Sequence, residues 1–171
     1  MRIILPLLVL LFACPGRPAQ AQSLARVQSS DFLKILGKWE GKLTYIDYTS
    51  HKPVTMPANV EIRQIGETTS FACFHSYPTE PNANSKDTLT IGNAGTMIDN
   101  EKVLSRTALP DGSIEIVTQE QATDGNDGKQ ALIKHTYTIS PTLYRIRKEV
   151  LFSGEKEWLQ RHEIVYTSHK K

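Results

Sequence analysis

Three histidines lie in stretches where apolar and polar residues alternate: His75 in "FACFHSY", His135 in "LIKHTYTI" and His162 in "WLQRHEIVY". Imidazoles turned toward a shared interior could bind a metal through nitrogens at about 2.0–2.1 Å. No short spacing such as His-x-His accompanies them, so they read as polar members of a mostly apolar lining, and no metal is assigned. Alternation places His135 and Tyr137 on one face of their run, and Trp158, His162 and Tyr166 on one face of the last. Tyr45 holds a matching place in the first run. A largely apolar cavity with a few orienting polar groups is the usual form of a small-molecule site. Tyr45, His135, Tyr137, Trp158, His162 and Tyr166 are therefore the candidate ligand contacts.

Other chemistry fails on inspection. "HEIVY" starts like the zinc-protease His-Glu-x-x-His, but Tyr166 replaces the second ligand, and on a strand residues four apart do not form the helical ligand pair. "DGNDG" lacks the acidic spacing of a calcium loop and reads as a turn. Cys73, between Phe71 and Phe74, reads as a buried, inert thiol rather than a nucleophile. Arg145 and Arg147 share the face opposite Tyr144, Ile146, Val150 and Phe152, which places them in solvent. No nucleophile elbow, phosphate loop or paired-cysteine motif occurs, so no catalytic constellation is assigned.

The elements that carry these residues are strands. Ser30 can cap a two-turn helix through Asp31, Phe32, Leu33, Ile35 and Leu36, which Gly37 ends. Alternating runs follow at 37–48, 54–62, 71–77, 88–91, 96–98, 103–108, 114–120, 131–139, 144–152 and 158–167. Turn sequences such as "LPDGS", "TDGNDGK" and "SGEKE" separate them. An antiparallel chain of this size must hide its edges. Even spacing and hairpin-like turns predict an all-β, up-and-down antiparallel barrel of about 8–10 strands, its end plugged by the short N-terminal helix. A Greek-key sandwich is the alternative.

The N-terminus, "MRIILPLLVLLFACPGRPAQAQ", has one basic residue, an apolar run and Ala19-Gln20-Ala21. That is the layout of a secretory signal peptide over 1–21, with an apolar run too short to span a bilayer. A short lead-in at 22–30 and a barrel domain at 31–171 complete the expected organisation. Leu11-Phe12-Ala13-Cys14 offers the competing reading of a lipoprotein box that would leave a lipid anchor at Cys14. Either way the protein is expected to be exported, periplasmic or secreted, or else membrane-anchored. The chain carries 20 basic and 18 acidic residues. Removal of Arg2 and Arg17 with the leader balances them, which gives no cause to expect nucleic acid as a partner. Only Cys73 would remain, so the domain must rely on its apolar core rather than on disulfides.

Gly37-Lys38-Trp39, after a short helix and before a long alternating strand, resembles the opening of the calycin barrels, which include lipocalins, fatty-acid-binding proteins and the similarly built nitrobindins. The resemblance implies a tryptophan at the closed end, Trp39, covered by a basic residue of the last strand, Arg161, with Gly37 and Trp39 as the structural motif. It also implies a small hydrophobic ligand in the barrel. "LGKWEGKL" resembles the start of nitrobindins, which implies as an alternative a haem held by His162 from its proximal side. A third reading is a non-catalytic structural or interaction module of the cell envelope.

Overall fold

The structure, a computed structural model, describes residues 25–168. The expected signal peptide over 1–21 and the alternative lipoprotein box ending at Cys14 lie outside the described residues. One short helix, α1 (Ser29–Leu33), precedes ten strands: β1 (Gly37–Ile46), β2 (Pro53–Gln64), β3 (Ser70–Ser76), β4 (Ser85–Gly92), β5 (Met97–Ile98), β6 (Glu101–Ala108), β7 (Ile114–Asp124), β8 (Lys129–Ile139), β9 (Leu143–Phe152) and β10 (Leu159–Thr167). Each strand pairs antiparallel with its neighbours in sequence, and β1 pairs with β10, from Glu40 opposite Thr167 to Tyr45 opposite His162. The sheet is thus a closed up-and-down barrel rather than a sandwich, and closure removes the exposed edges. No helix among the described residues is long and apolar enough to cross a membrane.

Alternation explains the wall. Along β2, Met56, Ala58, Val60 and Ile62 are buried and point inward, as do Ile114, Ile116 and Thr118 along β7. Gly41 faces Tyr166 across the β1–β10 pairing, and a Cβ there would run into the Val165 carbonyl and the Tyr166 ring. The missing side chain lets that ring lie flat over the strand, stacked on Tyr144 at 5.7 Å.

The helix closes one end. Phe32 packs against Phe71 and Tyr137, with ring centroids 5.7 and 6.3 Å apart, and Ile35 is fully buried. The Trp39 indole N–H donates to the Ile35 carbonyl at 2.7 Å. Trp39 therefore lies buried beside the helix. The helix begins at Ser29, not after Ser30, because the Asp31 carboxylate accepts the Gln28 N–H at 2.9 Å. Asp31 also receives Arg106 of β6 through two bonds, Nε to Oδ2 at 2.8 Å and Nη2 to Oδ1 at 2.6 Å. Burial alone would raise the Asp31 pKa, but these bonds, the Gln28 N–H and the nearby cations Arg106 and Lys34 together lower it. The lead-in is more than polar linker: Val27 is in the core, and its N–H donates to the Gly95 carbonyl at 2.8 Å.

Candidate ligand site at the open end of the barrel

The end opposite α1 carries the turns at 47–52, 77–84, 125–128 and 153–158. Below it the inner wall changes character. The half nearest α1 is filled by an apolar cluster from Val27 and Phe32 through Ile139 to Tyr166. The other half holds a small cluster of Ala131, Ile133 and Val150, flanked by Ala122 and Phe152, together with charged and imidazole side chains.

A β-bulge positions the central member. In the β9–β10 pairing Gln160 faces Glu149, while His162 faces Lys148, so Arg161 is an extra residue. Such an insertion reverses which side chains point inward on its far side. Arg161 is turned in and is only 9% exposed. Its Nε donates to Asp124 Oδ2 at 2.7 Å, while Lys148 Nζ donates to Asp124 Oδ1 at 2.6 Å. Burial would raise the Asp124 pKa, but the two donors and their charges hold it below the ordinary carboxylate value. The guanidinium carbon lies 4.4 Å from the Tyr48 ring centre and 5.3 Å from that of Phe152. Tyr48 is presented by a turn that Asp47 organises, its carboxylate accepting the Thr49 and Ser50 N–H groups. Arg161, Tyr48, Phe152, Leu159, Lys129 and the 125–127 turn border a recess of about 420 Å³ open to solvent.

Beneath this recess lie His162 and His135, with ring centroids 6.4 Å apart. His135 Nδ1 is 2.7 Å from Glu101 Oε1, and Glu101 in turn accepts the Thr118 hydroxyl. Burial, with electrostatic interactions with His135 and then Lys148 next in weight, pushes the His162 pKa down to about 4, so its imidazole is neutral at neutral pH. His75 stands apart from this pair, its Nε2 3.2 Å from Asp87 Oδ2 on the facing strand. Among the described residues no three His, Cys, Asp or Glu side chains converge as a metal-binding group. Cys73 is buried, and its surroundings, burial foremost, push its pKa up to about 12.

The six candidate contacts therefore separate. Tyr45, His135 and His162 share the inner wall of the open half: Tyr45 is directly opposite His162. Tyr137 and Tyr166 point inward but are packed into the core of the closed half, and the Tyr166 hydroxyl finds no protein partner. Burial raises the pKa of both phenols. Trp158 lies on the outer side, 4.3 Å beneath Lys134 Nζ, whose side chain pairs with Glu149 on the outer wall. The bulge is the reason, since strict alternation would have kept Trp158 on the face of His162. Arg161 does not cover Trp39 either: it lies at the opposite end, bonded to Asp124, while Arg106 bonds Asp31 at the helix end. Arg145 and Arg147 face outward, beside Glu163 and Glu149. Asp124, Lys148, Tyr48 and Phe152 did not figure among the expected contacts. Lys148 shares the parity of Ile146 and Val150 and could have been found from alternation.

A neutral His162 meets one need of a haem ligand. Its surroundings do not fit the group, because a porphyrin requires an apolar slot. The side chains across from His162 are Tyr45 and Lys148, with His135 next to it.

No family model matches the chain, and no curated protein matches it. Comparison with solved structures finds the crystal structure of Rv2717c from M. tuberculosis. It is 14% identical, with 85% of this chain and 99% of that chain covered and a TM-score of 0.49.

Proposed function

We propose that the protein is an exported binding barrel that holds a small, largely apolar molecule at its open end and catalyses no reaction on it. The observation that carries this reading is the recess of about 420 Å³, in which Tyr48, Phe152 and Leu159 supply apolar surface beside the polar His51, Asn126, Asp127, Lys129 and Arg161. A concave site that joins apolar surface to placed polar groups can hold and orient a small ligand. Affinity comes from removing ligand surface from water, roughly 25 cal/mol per Å². The N-terminal leader supports export, and with it a role outside the cytoplasm, free or anchored at Cys14.

The test is a fluorescence titration with the neutral apolar probe N-phenyl-1-naphthylamine, paired with native mass spectrometry of protein purified from its source. Saturable probe binding and a co-purifying small molecule are expected. Neither result would instead favour a structural module of the envelope, a reading supported by the packed closed half of the barrel.

A further inference from the structure

We infer that the open half of the barrel is an acid-sensitive unit, which takes up protons at His162 and Asp124 and comes apart while the half around α1 stays folded. The opening does not depend on the recess holding a ligand; if it holds one, acid releases it.

The first support is what faces His162. Lys148 of β9 and Tyr45 of β1 stand directly opposite it, and the His135 ring of β8 lies 6.4 Å away. β7 adds Asp124, bonded to both Lys148 and the neighbouring Arg161. β6 adds Glu101, which lies 2.7 Å from His135 Nδ1 and accepts the Thr118 hydroxyl. β2 offers the apolar Val54 beside Tyr45, and on β3 and β4 His75 and Asp87 pair with each other. On the rim Asp127 is matched by Lys129, and Asp47 accepts bonds within its own turn, which also carries His51. Lys148 and Arg161 therefore share the Asp124 carboxylate, and no second carboxylate among the described residues bonds either of them.

Charge is the second support. A proton on His162 adds a third positive charge beside these two, and a proton on Asp124 removes their counter-charge. Both groups take up protons more readily once the half has opened and water replaces their neighbours. Burial first, then His135 and Lys148, push the His162 pKa from 6.5 down to about 4. Its protonation therefore favours the opened form as pH falls below 6.5, with the full effect reached below about 4. Asp124, held below 3.8, acts in the same direction as pH falls through its folded value.

The third is the contrast between the halves. Around α1 the interior is the apolar cluster from Val27 to Tyr166, and burial raises the pKa of the phenols of Tyr137, Tyr144 and Tyr166, so they keep their protons in acid. Asp31, at that end, is held below 3.8, under the range in which His162 titrates. The open half rests on the small cluster of Ala131, Ile133 and Val150. A region with little apolar burial and its own titrating groups opens before the rest.

The experiment is hydrogen exchange read by mass spectrometry on the full-length mature protein, corrected for the intrinsic pH dependence of exchange. The interval from 6.5 to about 4 predicts that protection over residues 121–135 and 148–162 falls about twentyfold from neutral pH to about pH 5 and about a hundredfold by about pH 4. Residues 56–62, 71–73 and 137–146 should hold theirs. His162→Gln cannot take up the proton and should keep its neutral-pH protection at about pH 5, each protein being compared with itself. Equal loss in both halves, no loss, or the same loss in His162→Gln overturns the inference and leaves the recess reading to its own probe. Should His162→Gln not fold by circular dichroism, the wild type decides: the His162 ring, followed by proton NMR, must titrate well below 6.5, and titration at 6.5 overturns the inference.

Discussion

Replacing Asp124 with asparagine keeps the side chain's shape and removes its charge, leaving Arg161 and Lys148 facing a neutral amide. Asp124 is 6% exposed and Arg161 9%, so little solvent can screen what remains. Removing one partner of a buried ion pair costs about 3–5 kcal/mol. Lys148 keeps a fifth of its side chain in solvent, which puts Asp124→Asn near the lower end, about 3 kcal/mol. For a domain of this size that corresponds to a fall in Tm of about 6–12 °C. The assay is thermal unfolding by circular dichroism, repeated from neutral pH into acid. Because the folded-state pKa of Asp124 lies below its ordinary 3.8, its contribution is complete above that value and is lost as pH falls through the folded value. The gap between wild type and variant should hold from neutral pH down to about 4 and close below it. Asp31 also titrates in that range, but it is common to both proteins and cancels in the difference. A gap under about 0.5 kcal/mol at neutral pH, or one unchanged in strong acid, would refute the buried-trio reasoning.

Arg106→Met should leave the Asp31 carboxylate buried without its guanidinium, at a cost of about 3 kcal/mol in urea unfolding; hydrogen exchange should show residues 29–35 losing protection first. Gly41→Ala forces a methyl against the Val165 carbonyl and the Tyr166 ring and should destabilise by about 1–3 kcal/mol, read in the same melts. Trp158→Ala should leave binding of N-phenyl-1-naphthylamine within about twofold and lower stability by no more than about 1 kcal/mol, since its ring lies outside under Lys134. Hemin titration should give no Soret band that depends on His162, which a comparison of wild type with His162→Ala checks.

The wall of the barrel was readable because its signal is local. Period-two alternation and the turn sequences located every strand to within a few residues, and the glycine, tryptophan and short helix marked the closed end. The charged trio was hidden for two physical reasons. Asp124 is part of "TDGNDG", whose composition reads as a turn, although β7 reaches as far as Asp124 and directs its carboxylate inward. Arg161 owes its direction to a bulge that depends on pairing with β9, a non-local fact that no single strand reveals. The same bulge put Trp158 outside, against the alternation of its own run. Arg106 and Asp31 are 75 residues apart, and only barrel closure brings them together.

The central claim is that the open end, not the outer wall or the packed half, receives an apolar molecule. Chemical-shift mapping of the backbone amides during titration with N-phenyl-1-naphthylamine tests it most directly. The account predicts saturable shifts confined to residues 47–52, 124–129, 152 and 159–162. Shifts spread over the outer strands or centred on the α1 end, or none at saturating probe, would contradict it.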